Sequence, residues 1–167
     1  MAEASEAELG WLAGLINGEG CFLITRANKG YACAFHMQLR ADDVHVLERA
    51  RRISGGLGRI VCYDKAFRNS LNPMAKWHVC SRDDCRELAN LLLTDGMAPL
   101  AGAKAFQFLT WYEALLEWST VVPANNDRDS HDWSKMAELY DRLKSLRAYG
   151  STPSLAVEPK ADKGAIA

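Results

Sequence analysis

The sequence predicts an α+β fold with the element order αββαββα, a curved antiparallel sheet and extra C-terminal helices. Two pairs of strand-like runs predict the sheet, because apolar and polar residues alternate along them and turn residues separate them. A segment whose apolar residues recur with the period of a helix precedes the first pair of strand-like runs, and another such segment follows each pair. The chain has 167 residues, which suits one domain with its own core. We expect that domain over residues 1–148 and a disordered tail over 149–167.

The first helix is predicted over residues 6–18, with Ser5 as its N-cap. Gly10, Gly14 and Gly18 recur with a spacing of four and therefore share one helix face. A glycine inside a helix costs about 1 kcal/mol relative to alanine, so this stripe indicates close approach of a second helix. The alternative is that Gly10 and Gly18 only mark the helix ends, and it leaves Gly14 unexplained.

Two hairpins follow, and each has one apolar face and one polar face. The first joins residues 21–26 and 31–40, and the second joins residues 57–65 and 75–81. We expect the polar face and the hairpin loops to contact the partner of the protein. The residues predicted to make these contacts are Thr25, Arg26, Lys29, His36, Gln38, Arg40, Arg59, Tyr63, Lys65, Arg68, Asn69, Lys76 and His78.

A helix is predicted after each hairpin. The first follows Asp42 or Asp43 as its N-cap, and the second follows Ser81. Two more helices with amphipathic patterns are predicted over about residues 103–118 and 131–147.

The charge of the chain is unevenly distributed, although its net value is only −1. Residues 21–82 hold eleven Lys and Arg against four Asp and Glu, whereas residues 1–20 hold four acids and no Lys or Arg. Phosphate contacts need a local basic surface and not a basic protein. The bias therefore favours nucleic acid over a protein as the partner of the predicted sheet.

The five cysteines are odd in number and none forms a CxxC pair, so we predict no zinc site and reduced thiols. The acidic N-terminus lacks the basic start of a secretory signal. No run reaches the roughly 18 apolar residues that a membrane span needs. We expect an intracellular protein, in the cytoplasm or nucleoid of a prokaryote or encoded in an organelle, with no membrane partner.

Residues 12–20 read LAGLINGEG, which resembles the signature motif of the LAGLIDADG homing endonucleases. The element order is similar to that family's fold, and residues 99–113 (PLAGAKAFQFLTWYE) resemble a later landmark, so the likeness covers roughly residues 9–118. It implies a metal-dependent nuclease in which Glu19, the last acid of the motif, holds a divalent ion. That ion is normally Mg²⁺, with Mn²⁺ as a substitute, and the Gly18 carbonyl is an additional ligand. The motif departs from the family pattern at Asn17, where the first acid usually stands.

The same resemblance implies two further catalytic residues, Lys104 after the third helix and Gln38 on the second strand. Family members place the motif helix between two copies of the fold. Because this chain has one motif, the resemblance implies a homodimer of the single-motif type and a near-palindromic target of about twenty base pairs. The predicted dimer interface consists of Gly10, Ala13, Gly14, Asn17 and Gly18.

The function that follows is a site-specific homing endonuclease that makes a staggered double-strand break by Mg²⁺-dependent phosphodiester hydrolysis. We expect the polar face of the sheet and the hairpin loops to bind double-stranded DNA in the major groove, which admits a β-ribbon. The alternative is an intron RNA-splicing maturase or a non-cleaving DNA-binding protein on the same fold, and RNA is a partner only of the maturase. A third hypothesis is an interaction module whose sheet faces a protein.

Overall fold

The computed structural model describes residues 4–27, 30–63, 72–94, 100–120 and 132–148. Its elements are α1 (Glu6–Glu19), β1 (Gly20–Ala27), β2 (Gly30–Arg40), α2 (Val44–Ile53), β3 (Arg59–Tyr63), β4 (Met74–Val79), α3 (Arg82–Leu92), α4 (Gly102–Thr120) and α5 (Ser134–Ser145). The predicted α+β class and the order αββαββα, followed by two helices, are confirmed. The tail predicted over residues 149–167 lies outside the described residues.

The four strands form one antiparallel sheet in the order β1-β2-β4-β3. Within each predicted hairpin the two strands pair with each other. The two hairpins are joined by pairing between β2 and β4, where Phe35 lies opposite Val79 and Arg40 lies opposite Met74. The inner strands therefore come one from each hairpin, and the β1 edge continues directly from the end of α1.

One face of the sheet carries the hydrophobic core. Phe22, Phe35, Trp77 and Trp111 are fully buried there, and the Phe22 ring lies 5.3 Å from Phe35 and 5.2 Å from Trp111 between centroids. The Trp77 indole donates to the Leu57 carbonyl at 2.8 Å, which satisfies its one polar group. Because side chains alternate along a strand, the residues between these point to the other, polar face.

Helix α1 begins with a capping box, because the Ser5 side chain accepts from the Glu8 amide and Glu8 bonds back to Ser5. The predicted cap is thus confirmed. Leu9, Leu12 and Ile16 are buried on one face of the helix and attach it to the sheet.

The predicted N-cap position of α2 is confirmed, because Asp43 is the N-cap residue, but its side chain makes no capping hydrogen bond. Residues Ala41–Asp43 form a 3-10 turn, and neither Asp42 nor Asp43 makes a side-chain cap hydrogen bond. The Asp42 carboxylate instead pairs with Arg40 at 2.6 Å, because the turn brings it back over the strand end. Ser81 does cap α3 as predicted, since its hydroxyl accepts from the Asp84 amide at 3.0 Å.

None of the helices in the described ranges is long and apolar enough to cross a membrane.

Candidate active site and nucleic-acid interface

Glu19 is the last residue of α1 and is exposed, as is Gly18 beside it. The last turn of α1 contains no basic residue. The carbonyl groups at the C-terminal end of a helix carry partial negative charge, and the Glu19 carboxylate adds a full one. The end of α1 is therefore a local concentration of negative charge built from oxygen atoms, which favours a bound cation.

Gly20 allows α1 to pass directly into β1. A Cβ atom at this position would lie 2.7 Å from the Ile16 carbonyl oxygen, 2.9 Å from the Ile16 Cγ2 and 3.0 Å from the Phe35 ring. The Gly20 amide also donates to that Ile16 carbonyl. The last glycine of the motif is thus required by packing, a role that the sequence analysis did not assign, and it fixes Glu19 at the edge of the sheet.

Replacing Gly20 with alanine is expected to lower the free energy of unfolding by roughly 1–3 kcal/mol, because the added methyl group overlaps backbone that cannot move freely. Urea denaturation followed by circular dichroism measures the change. An unaltered midpoint would show that the helix-to-strand junction has more space than its geometry indicates.

Lys104, in the first turn of α4, lies beside this helix end. Its Nζ donates to the Gly20 carbonyl, and the side chain is half-buried. Burial is the main cause that lowers the pKa of Lys104, and the positive charge of Arg147 lowers it further. Cys21 and Glu19 act in the opposite direction, which places Lys104 within electrostatic range of Glu19. The structure thus brings together the acid and the base that the sequence pointed to.

Asn17 also connects α1 to α4, because its Oδ1 accepts from the Ala101 amide at 3.0 Å. This explains how the amide substitutes for the motif's first acid, since the position needs a hydrogen-bond acceptor and not a charge. Together with Lys104, Asn17 holds the start of α4 against the end of α1.

The glycine stripe of α1 faces open space. A Cβ atom placed on Gly10, Gly14 or Gly18 would meet nothing within 4 Å. Ala13 differs, because it is only 1% exposed and packs in the core of its own chain. The Ala13 side chain is therefore engaged by the core of its own chain and is not exposed to a second helix.

The polar face of the sheet is arranged in rows that cross the strands. One row runs Cys21, His36, His78 and Arg59 across all four strands. The next contains Gln38 opposite Lys76. Gly20, which follows Glu19, lies opposite Met37 of β2. The next residue of β2 is Gln38, so Gln38 lies beside the end of α1 that carries Glu19.

The two histidines of the first row favour the neutral state. Burial lowers the pKa of His36 to about 4, with smaller effects from Lys76, His78 and Arg147. Burial also lowers the pKa of His78, as do Lys76 and Arg59. The His36 Nδ1 is buried without a hydrogen-bond partner among the described residues. A neutral imidazole offers one donor and one acceptor, which suits hydrogen bonding to base edges.

The remaining predicted contact residues lie at the ends of the strands. Arg26 and Tyr63 are exposed, the exposed Thr25 donates its hydroxyl to the Ala32 carbonyl at 3.1 Å, and Arg40 is paired with Asp42. Four predicted contacts, three in the hairpin loops and Lys65 at the end of a strand run, fall outside the described residues. They are Lys29, Lys65, Arg68 and Asn69.

Comparison with known proteins identifies the family. The sequence model described as LAGLIDADG endonuclease matches residues 12–115, which is more than half of the chain and spans α1 to most of α4. The chain belongs to the LAGLIDADG endonuclease family. No curated protein matches it in sequence.

Solved structures of LAGLIDADG endonucleases share the fold. The archaeal intron-encoded homing endonuclease I-Vdi141I, complexed with DNA, has a TM-score of 0.64 at 19% identity, and the match covers 87% of each chain. The meganuclease I-AabMI, bound to uncleaved DNA, has a TM-score of 0.59 at 22% identity over 84% of this chain. The homing endonuclease I-TnaI has a TM-score of 0.58 at 18% identity over 87% of this chain and 97% of its own. This chain spans less than half of I-AabMI, of which the match covers 44%.

Two residues that act electrostatically on Lys104 were not singled out from the sequence. Cys21 follows the motif, pairs with His36 between β1 and β2, and acts electrostatically on Lys104. Arg147 follows α5, beyond the residues that the family model matches, and its charge acts on Lys104 and His36. Only the position next to the motif could have drawn attention to Cys21, and no sequence signal points to Arg147.

Proposed function

We propose that this LAGLIDADG protein is a site-specific homing endonuclease that cuts both strands of a long, near-palindromic DNA target. It acts as a symmetric homodimer, hydrolyses phosphodiester bonds with Mg²⁺ and leaves staggered ends. The observation that carries the proposal is the position of Glu19. The carboxylate is exposed at the end of the motif helix, beside Lys104, where the polar face of the sheet begins.

The donor atoms at the end of α1 fit a magnesium ion. Mg²⁺ prefers carboxylate, carbonyl and water oxygens, and the Glu19 carboxylate and the Gly18 carbonyl supply the first two. Within the described ranges no three His, Cys, Asp or Glu side chains gather as a metal site. We therefore expect DNA phosphates, water and Glu19 of the second copy to supply the other ligands.

The bound metal would make water a stronger nucleophile and stabilise the leaving oxygen. Glu19 holds and orients that ion from the end of α1. The Lys104 ammonium, fixed by the Gly20 carbonyl, places positive charge where the phosphate becomes more negative during hydrolysis. In this proposal Gln38, which lies opposite Lys76 in the adjacent row, would orient the attacking water by hydrogen bonding.

The polar face supplies the means to recognise DNA. β2 has eleven residues, so at about 3.3 Å per residue it follows roughly ten base pairs of a half-site. Arg59 and Lys76 suit guanine or phosphate, and Gln38 suits adenine. The neutral His36 and His78 lie between these charged groups and add donors and acceptors without further charge.

The homodimer is proposed from the open stripe of α1. Gly10, Gly14 and Gly18 leave that helix face free of side chains, and no intrachain contact explains them. A second α1 packed against this stripe would bring two Glu19 carboxylates together. A two-fold protein would then read a near-palindrome.

A cleavage selection tests this function directly. A library of plasmids with random 24-base-pair inserts is incubated with the full chain and MgCl₂, and linearised molecules are sequenced at their ends. We expect a recovered site of about twenty base pairs with two-fold symmetry and staggered ends, and no products in EDTA. Binding of structured intron RNA without any DNA cleavage would favour the maturase alternative. An unsymmetric recovered site would contradict the homodimer.

A further inference from the structure

Helix α5 is held firmly against the rest of the domain. The Tyr31 ring of β2 lies 6.0 Å from Trp133 and 5.9 Å from Tyr140 between centroids. The Glu113 carboxylate of α4 accepts from Arg142 and lies 3.0 Å from the Lys135 Nζ. These contacts fix the position of α5, so the residues at its C-terminal end have a defined place.

That end of α5 lies over the first turns of α4. The Gln107 side chain donates to the Leu146 carbonyl at 3.2 Å, and Gln107 is one helical turn beyond Lys104. Arg147 is the residue after Leu146, which is hydrogen-bonded to the face of α4 that carries Lys104. The Arg147 guanidinium also lowers the pKa of both Lys104 and His36, two groups on different elements that border the same end of the polar face.

Arg147 is exposed and makes no ion pair or side-chain hydrogen bond with any other described residue. Arg147 thus adds positive charge near Lys104, and no acidic side chain of the described ranges pairs with it. Like charges that lie close together destabilise each other, and an anion bound between them removes that cost. A guanidinium offers paired N–H groups that fit two oxygens of one phosphate.

We propose that Arg147 binds a backbone phosphate of the DNA next to the cutting site, so that α5 contributes a phosphate-binding residue from outside the matched family segment. This inference rests on the proposed function, because it takes duplex DNA as the substrate. The alternative is that Arg147 only compensates the partial negative charge at the C-terminal end of α5, as a cation near a helix C-terminus does. The two differ in whether DNA binding depends on Arg147.

Binding of a 30-base-pair duplex of random sequence tests the proposal, with the full chain in EDTA and KCl varied from 50 to 300 mM. For the Arg147→Gln variant we expect the slope of log Kd against log salt to fall by about one per protomer. Affinity at 100 mM KCl should weaken roughly 3- to 10-fold. Arg147→Lys should restore most of the slope. Lys144→Gln, an exposed cation on the same helix, is the matched control and should leave the slope unchanged.

A second measurement checks the placement without DNA. The imidazole of His36, titrated by NMR, should show a higher pKa in Arg147→Gln, whereas Lys144→Gln should leave it unchanged. An unaltered His36 titration, or an equal salt slope for Arg147→Gln and Lys144→Gln, would overturn the inference while wild-type cleavage leaves the proposed function standing. A wild-type chain that neither binds nor cuts duplex DNA would overturn both.

Discussion

Replacing Glu19 with glutamine is expected to slow DNA cleavage at least about 10³-fold while the affinity for DNA stays within a few-fold of wild type. Glutamine keeps the size of the side chain and removes its charge, so a divalent ion at the end of α1 loses the carboxylate that we assign to it. An ion that activates water and stabilises the leaving oxygen supplies several kcal/mol, and about 4 kcal/mol corresponds to three orders of magnitude in rate. Single-turnover cleavage of the selected site in MgCl₂ measures this effect.

The DNA affinity of this variant in EDTA separates chemistry from binding. Removing a negative charge near two phosphates should leave that affinity equal or make it tighter. The fold should be unaffected, because the Glu19 side chain is exposed and makes no hydrogen bond or ion pair with another described residue. Glu6→Gln, at the opposite end of α1, is the control and should cleave normally. Wild-type activity in Glu19→Gln would remove the metal role from this residue.

Local patterns were sufficient to predict the elements and the side of the sheet that each strand residue faces. The alternation in β2 correctly separates Phe35 and Met37, which are buried, from His36 and Gln38 on the polar face. This works because the side-chain period of a strand is two residues and one face must be apolar. The N-cap position of α2 was also predicted, at Asp43, but the sequence did not show that its side chain makes no capping hydrogen bond or that the neighbouring Asp42 pairs with Arg40.

The contacts that assemble the site were harder to predict. Asn17 meets Ala101, and Lys104 meets Gly20, and each pair is 84 residues apart in the chain. Periodicity reports which face of an element is buried, but it does not report which two elements touch. The resemblance to the family motif placed Lys104 near Glu19, whereas the residues alone could not have done so. Burial of the His36 imidazole likewise depends on packing around the whole row and leaves no mark in the sequence.

Replacing Gly14 with leucine is expected to convert a dimer into a monomer and to abolish double-strand cleavage while each chain remains folded. A Cβ atom at Gly14 meets nothing within 4 Å in its own chain, so the start of a leucine side chain finds open space there. In the proposed helix pair the same side chain occupies the space that the second α1 backbone needs, and overpacking of that kind costs roughly 1–3 kcal/mol per site. Because a two-fold interface uses the same surface of both copies, the clash occurs twice in each dimer.

Sedimentation velocity at several protein concentrations measures the assembly, and urea denaturation of the separated monomer measures the fold. Glu87→Leu adds the same side chain at an exposed site on α3 and is the control, with assembly unchanged. A Gly14→Leu chain that still dimerises with wild-type affinity would show that α1 is not the interface. Cleavage should fall with dimerisation, and any residual activity should be nicking of one strand.

The sign of the stability change makes this experiment decisive. Leucine is a better helix former than glycine by up to about 1 kcal/mol, so in an isolated chain Gly14→Leu should raise the free energy of unfolding. In a dimer, the folded state also gains stability from association, and that gain increases with protein concentration. The variant should therefore be more stable than wild type at low concentration and less stable at high concentration. A monomeric wild type would show the stabilisation at every concentration, because the glycine stripe would then have no partner to lose.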